Sequence, residues 1–157
     1  MKITLLLTGK TEDSWIKTGF EQYLKRLEHY CTLEIIEIPG LKQSGKISVT
    51  EQNKAEGELQ LAKISTSDRL VLMDEKGKEF SSIGLASWIE KQQSAGHKRM
   101  VFLIGGPFGF SDKVYERANE RISLSQMTFS HQMVRVILAE QLYRAYSITK
   151  GEKYHHS

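Results

Sequence analysis

The chain has 157 residues, 39% of them hydrophobic and 26% charged, with a formal net charge of +3 and a single cysteine. That length suits one domain with a modest core, and a lone Cys31 excludes an internal disulfide and fits a reducing cytosol. The longest apolar runs fall far below the ~18 residues of a membrane span. Met1-Lys2 leads straight into a strand-like run without a signal-peptide pattern. The mild basic excess permits an RNA partner without demanding one.

In chain order, Ile3–Leu7 is a β-rich apolar run that suits a central strand. Thr8-Gly9-Lys10-Thr11 follows and looks like the end of a phosphate-binding loop. The first glycine of that pattern would fall at Thr4, so the backbone lacks what it needs to cradle phosphates. Asp13–Glu28 carries Trp15, Ile16, Phe20, Tyr23, Leu24 and Leu27 at helical spacing, with Lys17, Lys25 and Arg26 off that stripe. Leu33–Ile38 is a second strand, stopped by Pro39-Gly40. The stretch from Leu41 to Ser48 has no periodicity and is expected to be a mobile basic loop. Thr50–Ile64 is polar and helix-favouring, with Ser48 or Thr50 as its cap.

Arg69–Met73 is a third strand, with Asp74-Glu75-Lys76-Gly77 expected as a turn. Ser81–Gln93 is a helix with Ile83, Leu85, Ala86, Trp88 and Ile89 inward. Met100–Ile104 is a short apolar run that stops at Gly105-Gly106, as a fully buried strand would. Ser111 can cap a helix that begins at Asp112. Arg121–Leu124 is a fifth strand, and Gln132–Tyr146 is a long helix with Val134, Ile137, Leu138, Leu142 and Ala145 on one stripe.

Strands alternating with helices give a single α/β domain, residues 1–157, with a mainly parallel sheet and helices on both faces. Such sheets bind ligands at the carboxyl ends of their strands, here the loops after Met73, Ile104 and Leu124. Gly105-Gly106 allows a tight turn and close backbone approach to a ligand, but it is no dinucleotide fingerprint: no acidic residue follows at the required distance.

The order Leu103-Ile104-Gly105-Gly106-Pro107, Gly109, Ser123-Leu124-Ser125, Met127-Thr128-Phe129, His131-Gln132, Val134-Arg135-Val136, Glu140-Gln141-Leu142-Tyr143-Arg144-Ala145, Gly151 and Tyr154-His155 resembles the RlmH family of SPOUT methyltransferases. Lys2, Trp15, Thr18-Gly19-Phe20 and Tyr23 extend the resemblance over essentially the whole chain. It departs in two places, with Ser130 and Lys153 where the family often has proline.

The resemblance implies a trefoil-knotted α/β fold and a homodimer. It implies an S-adenosylmethionine-dependent enzyme that methylates N3 of a pseudouridine in 23S ribosomal RNA in the ribosome, with no metal and no membrane. Met73, Gly105, Gly106 and the segment Leu124, Ser125, Gln126, Met127, Thr128 and Phe129 are then expected to hold the cofactor. Candidate catalytic residues are His131, Arg135 and His155, since histidine is the usual proton acceptor near neutral pH. Arg135, Arg144, Lys153, Tyr154 and His155 are expected to meet RNA, the cations on phosphate and the tyrosine stacked on a base. The helix Gln132–Tyr146 carries Met133, Val136 and Tyr143 off its main stripe, which suits a dimer interface. The competing readings are a SPOUT enzyme acting on transfer RNA, a non-catalytic dimeric ribosomal-RNA-binding protein, and a nucleotide-binding regulator using Thr8–Thr11.

Overall fold

A computed structural model describes residues 1–41 and 47–156. Among the described residues, five strands and five helices follow one another. They are β1 (Lys2–Thr8), α1 (Ser14–Leu27), β2 (Leu33–Ile38), α2 (Val49–Leu61), β3 (Arg69–Glu79), α3 (Ser82–Ser94), β4 (Arg99–Ile104), α4 (Asp112–Arg117), β5 (Glu120–Ser123) and α5 (His131–Thr149). The strands form one sheet in the order β2-β1-β4-β3-β5. All four pairings are parallel.

The period-2 alternation of the strands sends neighbouring side chains to opposite faces. Ile3, Leu5 and Leu7 of β1 and Met100, Phe102 and Ile104 of β4 join one core, packed under α1, α3 and α5. Leu6, Val101 and Leu103 point the other way, into a second core with Leu70, Leu72 and Val114. Helices therefore cover both faces, which is why β4 is apolar at every position but Arg99 and β1 through Leu5–Leu7.

Four of the helices start on serine caps, of which Ser48 and Ser111 were expected from the sequence. Ser48 forms a full capping box with Glu51, and Ser81, Ser111 and Ser130 each accept a backbone N–H three residues on. Two expectations need correction. Trp15 is 63% exposed and Ile83 51% exposed, so neither belongs to the inward stripe of its helix. Of the expected mobile loop, Leu41–Ser48, residues 42–46 lie outside the described residues. Asp74–Gly77 is no strand-ending turn.

That last stretch is an excursion inside a longer strand. Met73 and Lys78 both pair with Ile122, so the four residues between them leave the ladder and return to it. Gly77 makes the return possible. A Cβ there would lie 2.6 Å from the carbonyl carbon of Arg121 and the nitrogen of Ile122. Backbone cannot swing aside as a side chain can, so Gly77→Ala is expected to lower unfolding free energy by about 2–3 kcal/mol. Urea unfolding measures it, and a loss under about 0.5 kcal/mol would show that the two strands separate without strain.

Candidate active site

The carboxyl ends of β3, β4 and β5 open on one cavity of about 680 Å³, walled by the loops 73–76, 104–110 and 122–131. This is where a parallel sheet leaves room for a ligand. Of the residues expected to hold a cofactor, Met73, Gly105, Gly106, Leu124, Ser125, Met127, Thr128 and Phe129 line it, and Gln126 does not.

The 123–130 loop is shaped by serine chemistry. Ser123 Oγ donates to the carbonyl of Ser125 (2.7 Å), and Ser125 Oγ accepts from Met127 N (3.0 Å). Thr128 Oγ1 donates to Glu75 Oε2 (2.8 Å), tying this loop to the excursion in β3. Met127 is left 74% exposed at the mouth, apolar and free to cover a ligand.

The 105–110 loop is held from both sides. Asn53 on α2 donates to the carbonyl of Phe108 (2.9 Å). A Cβ on Gly105 would come within 2.8 Å of the Phe110 ring. The glycine is thus required by the protein's own packing, a physical reason different from the ligand approach expected from sequence. Substituting it deforms the loop first and the ligand site as a consequence.

His131, the first residue of α5, lines the cavity. Burial holds its imidazole below the ordinary value of 6.5, the Arg135 cation adds to this, and Glu12 and Glu56 oppose it. The ring is neutral at pH 7 and can accept a proton.

Arg135 sits elsewhere. It is completely buried, and its guanidinium donates to the carbonyls of Thr8 (2.9 Å) and Gly9 (3.0 Å) and to Thr11 Oγ1 (2.8 Å). Its expected contact with RNA is corrected accordingly: the group is wholly buried, both terminal nitrogens already donate to the β1–α1 loop, and only Nε has no partner. The same contacts dispose of the phosphate-loop reading, because that loop turns carbonyls rather than amides toward its charged partner.

The remaining expected RNA ligands gather at the other end of α5. Arg144 pairs with Glu140 and lies 4.7 Å from the centre of the Tyr154 ring. Tyr154 packs edge-on against Tyr143 at 4.6 Å and donates to Glu140 Oε1 (3.1 Å). Burial, and then hydrogen bonds to Tyr23 and Glu140, push its phenol well above the usual range, so it stays a neutral donor. His155 Nδ1 is 3.4 Å from Arg144, while Lys153 is exposed. The tail is therefore packed and not frayed, and it contributes to stability. Arg144 lies 13 residues beyond His131, about 20 Å along the helix. One chain does not bring the two groups together.

Sequence reasoning missed Asp74, Glu75, Phe108 and Tyr115 as lining residues. Tyr115 stands edge-on to Phe110, and burial followed by the charge of Asp74 pushes its phenol up to about 12. Its signal was available: an aromatic on the first turn of a helix that opens where a ligand loop ends. The acidic pair was hidden by its turn-like composition. Among the described residues, no group of three or more His, Cys, Asp or Glu side chains could hold a metal ion, and no helix is long and apolar enough to cross a membrane.

Known proteins resemble the chain along its length. A family described as "Predicted SPOUT methyltransferase" matches residues 1–155. The ribosomal RNA large subunit methyltransferase H of Cytophaga hutchinsonii is 51% identical over 156 residues, covering 99% of this chain and all of that one. Proteins of the same name from Christiangramia forsetii and Flavobacterium johnsoniae are 48% and 46% identical, with 99% of each chain covered. A strand-end cavity on an all-parallel sheet, a glycine loop beside it and this full-length likeness agree: the chain belongs to the RlmH family of SPOUT methyltransferases, whose α/β fold is the knotted one.

Proposed function

We propose that the protein transfers a methyl group from S-adenosylmethionine to N3 of a pseudouridine in 23S ribosomal RNA, acting on the ribosome as a homodimer. The observation that carries this reading is the cavity at the ends of β3, β4 and β5. Its volume of about 680 Å³ suits a nucleoside-sized ligand, and its wall combines apolar side chains with loop backbone. Ile104, Leu124 and Phe129 offer apolar contact, and the Gly105–Gly106 turn offers backbone groups for a purine edge. Asp74 and Glu75 stand at the same wall, where negative charge suits a cationic ligand. When bound, the cofactor supplies a methyl group on a positively charged sulfur. The relatives' printed name, with its ribosomal RNA large subunit, supports the substrate class.

The protein's own part is to position, to exclude water and to take up a proton. A uracil-type ring nitrogen must lose its proton before or as it is methylated, and His131 is the group at the cavity kept neutral for that purpose. Arg144, Lys153, Tyr154 and His155 suit phosphate and an unstacked base. They lie a helix length from the cavity, so a second copy must bring them to it.

Val136 faces Gly19 and Tyr143 packs against Tyr23 and Tyr30, so α1 and the turn after it cover these two residues of the expected dimer face. The division of the site between the two ends of α5 supports the dimer instead, together with the exposed Trp15 on the first turn of α1.

Unmethylated ribosomes incubated with the protein and labelled cofactor are expected to take label into 23S RNA at one pseudouridine, with none in free transfer RNA. Label in transfer RNA alone would favour the other SPOUT reading, and no label at all the non-catalytic one. The rate should fall as pH drops through the depressed His131 value, so its acidic limb lies below pH 6.5. His131→Asn is expected to remove that limb and slow transfer by roughly 10²-fold. A limb unchanged in this variant would show that another group accepts the proton.

A further inference from the structure

Helix α2 is unusual in what it buries. Gln52, Glu56 and Gln60, spaced i, i+4 and i+8, are at most 3% exposed, although the helix carries almost no apolar face. Buried polar side chains are costly unless they hold something in place. Gln60 donates to Thr8 Oγ1 (2.9 Å), and Gln52 donates to the carbonyl of Leu41 (3.0 Å). Glu56 sits between them and reaches three parts of the fold.

One carboxylate oxygen, Oε1, accepts from Leu41 N (3.3 Å) in the loop after β2 and from Gln52 Nε2 (3.2 Å). The other, Oε2, lies 3.0 Å from where a Cβ on Gly106 would stand. The carboxylate thus lies directly against the Gly105–Gly106 turn, and a side chain at Gly106 would press on it. Gly106 and His131 line the same cavity, and the carboxylate of Glu56 lies behind its Gly106 wall; its charge opposes the lowering of the His131 value.

We infer that Glu56 is a positioning residue for methyl transfer: it seats the Gly105–Gly106 turn against the cofactor cavity and places a negative charge behind it, toward His131. This rests on the reading of the cavity as a cofactor site and of His131 as proton acceptor. Both halves follow from one geometry. The seat needs the length of a glutamate side chain, and the charge needs its ionised carboxylate. Around His131 the opposing charges are Arg135 from α5, which disfavours its protonated form, and Glu12 from the loop before α1, which acts in the same sense as Glu56. Glu12 makes no contact with Gly106, so it supplies the comparison that separates charge from seat.

Two substitutions divide the roles. Glu56→Gln keeps the length and removes the charge. Glu56→Asp keeps the charge and withdraws it from Gly106. The His131 imidazole is titrated by NMR in the free full-length protein, and S-adenosylmethionine binding is measured by calorimetry. Glu56→Gln is expected to move the His131 midpoint down by about half a pH unit, with cofactor affinity within about twofold of the parent. The acidic limb of ribosome methylation should move down with it. Glu56→Asp is expected to leave the His131 midpoint in place and weaken the cofactor by about tenfold. Glu12→Gln should move the midpoint without touching affinity.

A His131 midpoint unmoved by Glu56→Gln, or an affinity unmoved by Glu56→Asp in a folded protein, would overturn the assignment. Should Glu56→Gln not fold, a Glu56→Asp protein of unchanged affinity overturns it alone. Failure of the underlying reading looks different: the parent protein then binds no S-adenosylmethionine, or His131→Asn leaves the limb in place.

Discussion

Arg135→Ala is expected to lower the unfolding free energy by about 3–5 kcal/mol, among the largest losses any single substitution in this chain would cause. The guanidinium is wholly buried and donates to three oxygens of the β1–α1 loop, the carbonyls of Thr8 and Gly9 and the hydroxyl of Thr11. Removing it strands those acceptors where water does not reach all of them, at ~1–3 kcal/mol for each buried group left unpaired. It also leaves Glu37 and Glu12 without the cation whose charge they favour. Arg135→Lys should recover only part of the loss, because an ammonium cannot span three acceptors in a planar fork. Urea unfolding followed by circular dichroism gives the number. A loss below about 1 kcal/mol for Arg135→Ala would mean that water replaces the guanidinium and that the β1–α1 loop stands without it. Arg135 would then return as a candidate for direct work at the site.

Most of the sheet was legible in the sequence because its strands are buried on both faces and so read as unbroken apolar runs. β4 emerged within a residue of its observed bounds for that reason, and the edge strand β2 from its partial alternation and the Pro39-Gly40 stop. The starts of α2 and α4 were legible because Ser48 and Ser111 are caps, and a cap is a local event. What failed was non-local. Asp74-Glu75-Lys76-Gly77 has the composition of a turn, and only the backbone of β5 beneath Gly77 makes it a detour within a strand. Trp15 has the spacing of a core residue, but nothing in the described chain covers it.

The site divides in the same way. The loops after β3, β4 and β5 follow from strand ends and glycines, and the cavity is there. Arg135 looked like a ligand for phosphate because an arginine's burial cannot be read from its neighbours along a helix. Glu56 was invisible because a polar i, i+4, i+8 stripe normally marks a solvated face. The tail, Lys150–His156, has no apolar run and was expected to meet RNA, and its packing within the chain was not foreseen: Tyr154 finds Tyr143, Glu140 and Tyr23 by hydrogen bonding and ring contact.

Two inactive variants are expected to restore one another when mixed. Gly105→Val is expected to break the proposed cofactor half of the site, since its side chain would drive into Phe110 and deform the loop. Arg144→Ala is expected to break the proposed RNA half at the far end of α5, where it removes the cation packed on Tyr154 and paired with Glu140. Alone, each is expected to lose at least about 100-fold in ribosome methylation, a ~2.7 kcal/mol loss of transition-state stabilisation. The Arg144→Ala protein should still bind S-adenosylmethionine with nearly parental affinity, because its lesion lies about 20 Å of helix away from the cavity. If each site takes its cavity from one protomer and its RNA ligands from the other, a mixed dimer holds one site with both lesions and one with neither. Subunits exchanged at equal concentration give mixed dimers as half of the population, so the mixture should reach about a quarter of the parental rate. Differently tagged subunits, purified through both tags, confirm that the mixed species has formed before it is assayed. Mixed dimers that stay as inactive as either parent would place the cavity and the RNA ligands of each working site on the same chain. The 20 Å between them would then have to be closed by movement of the tail.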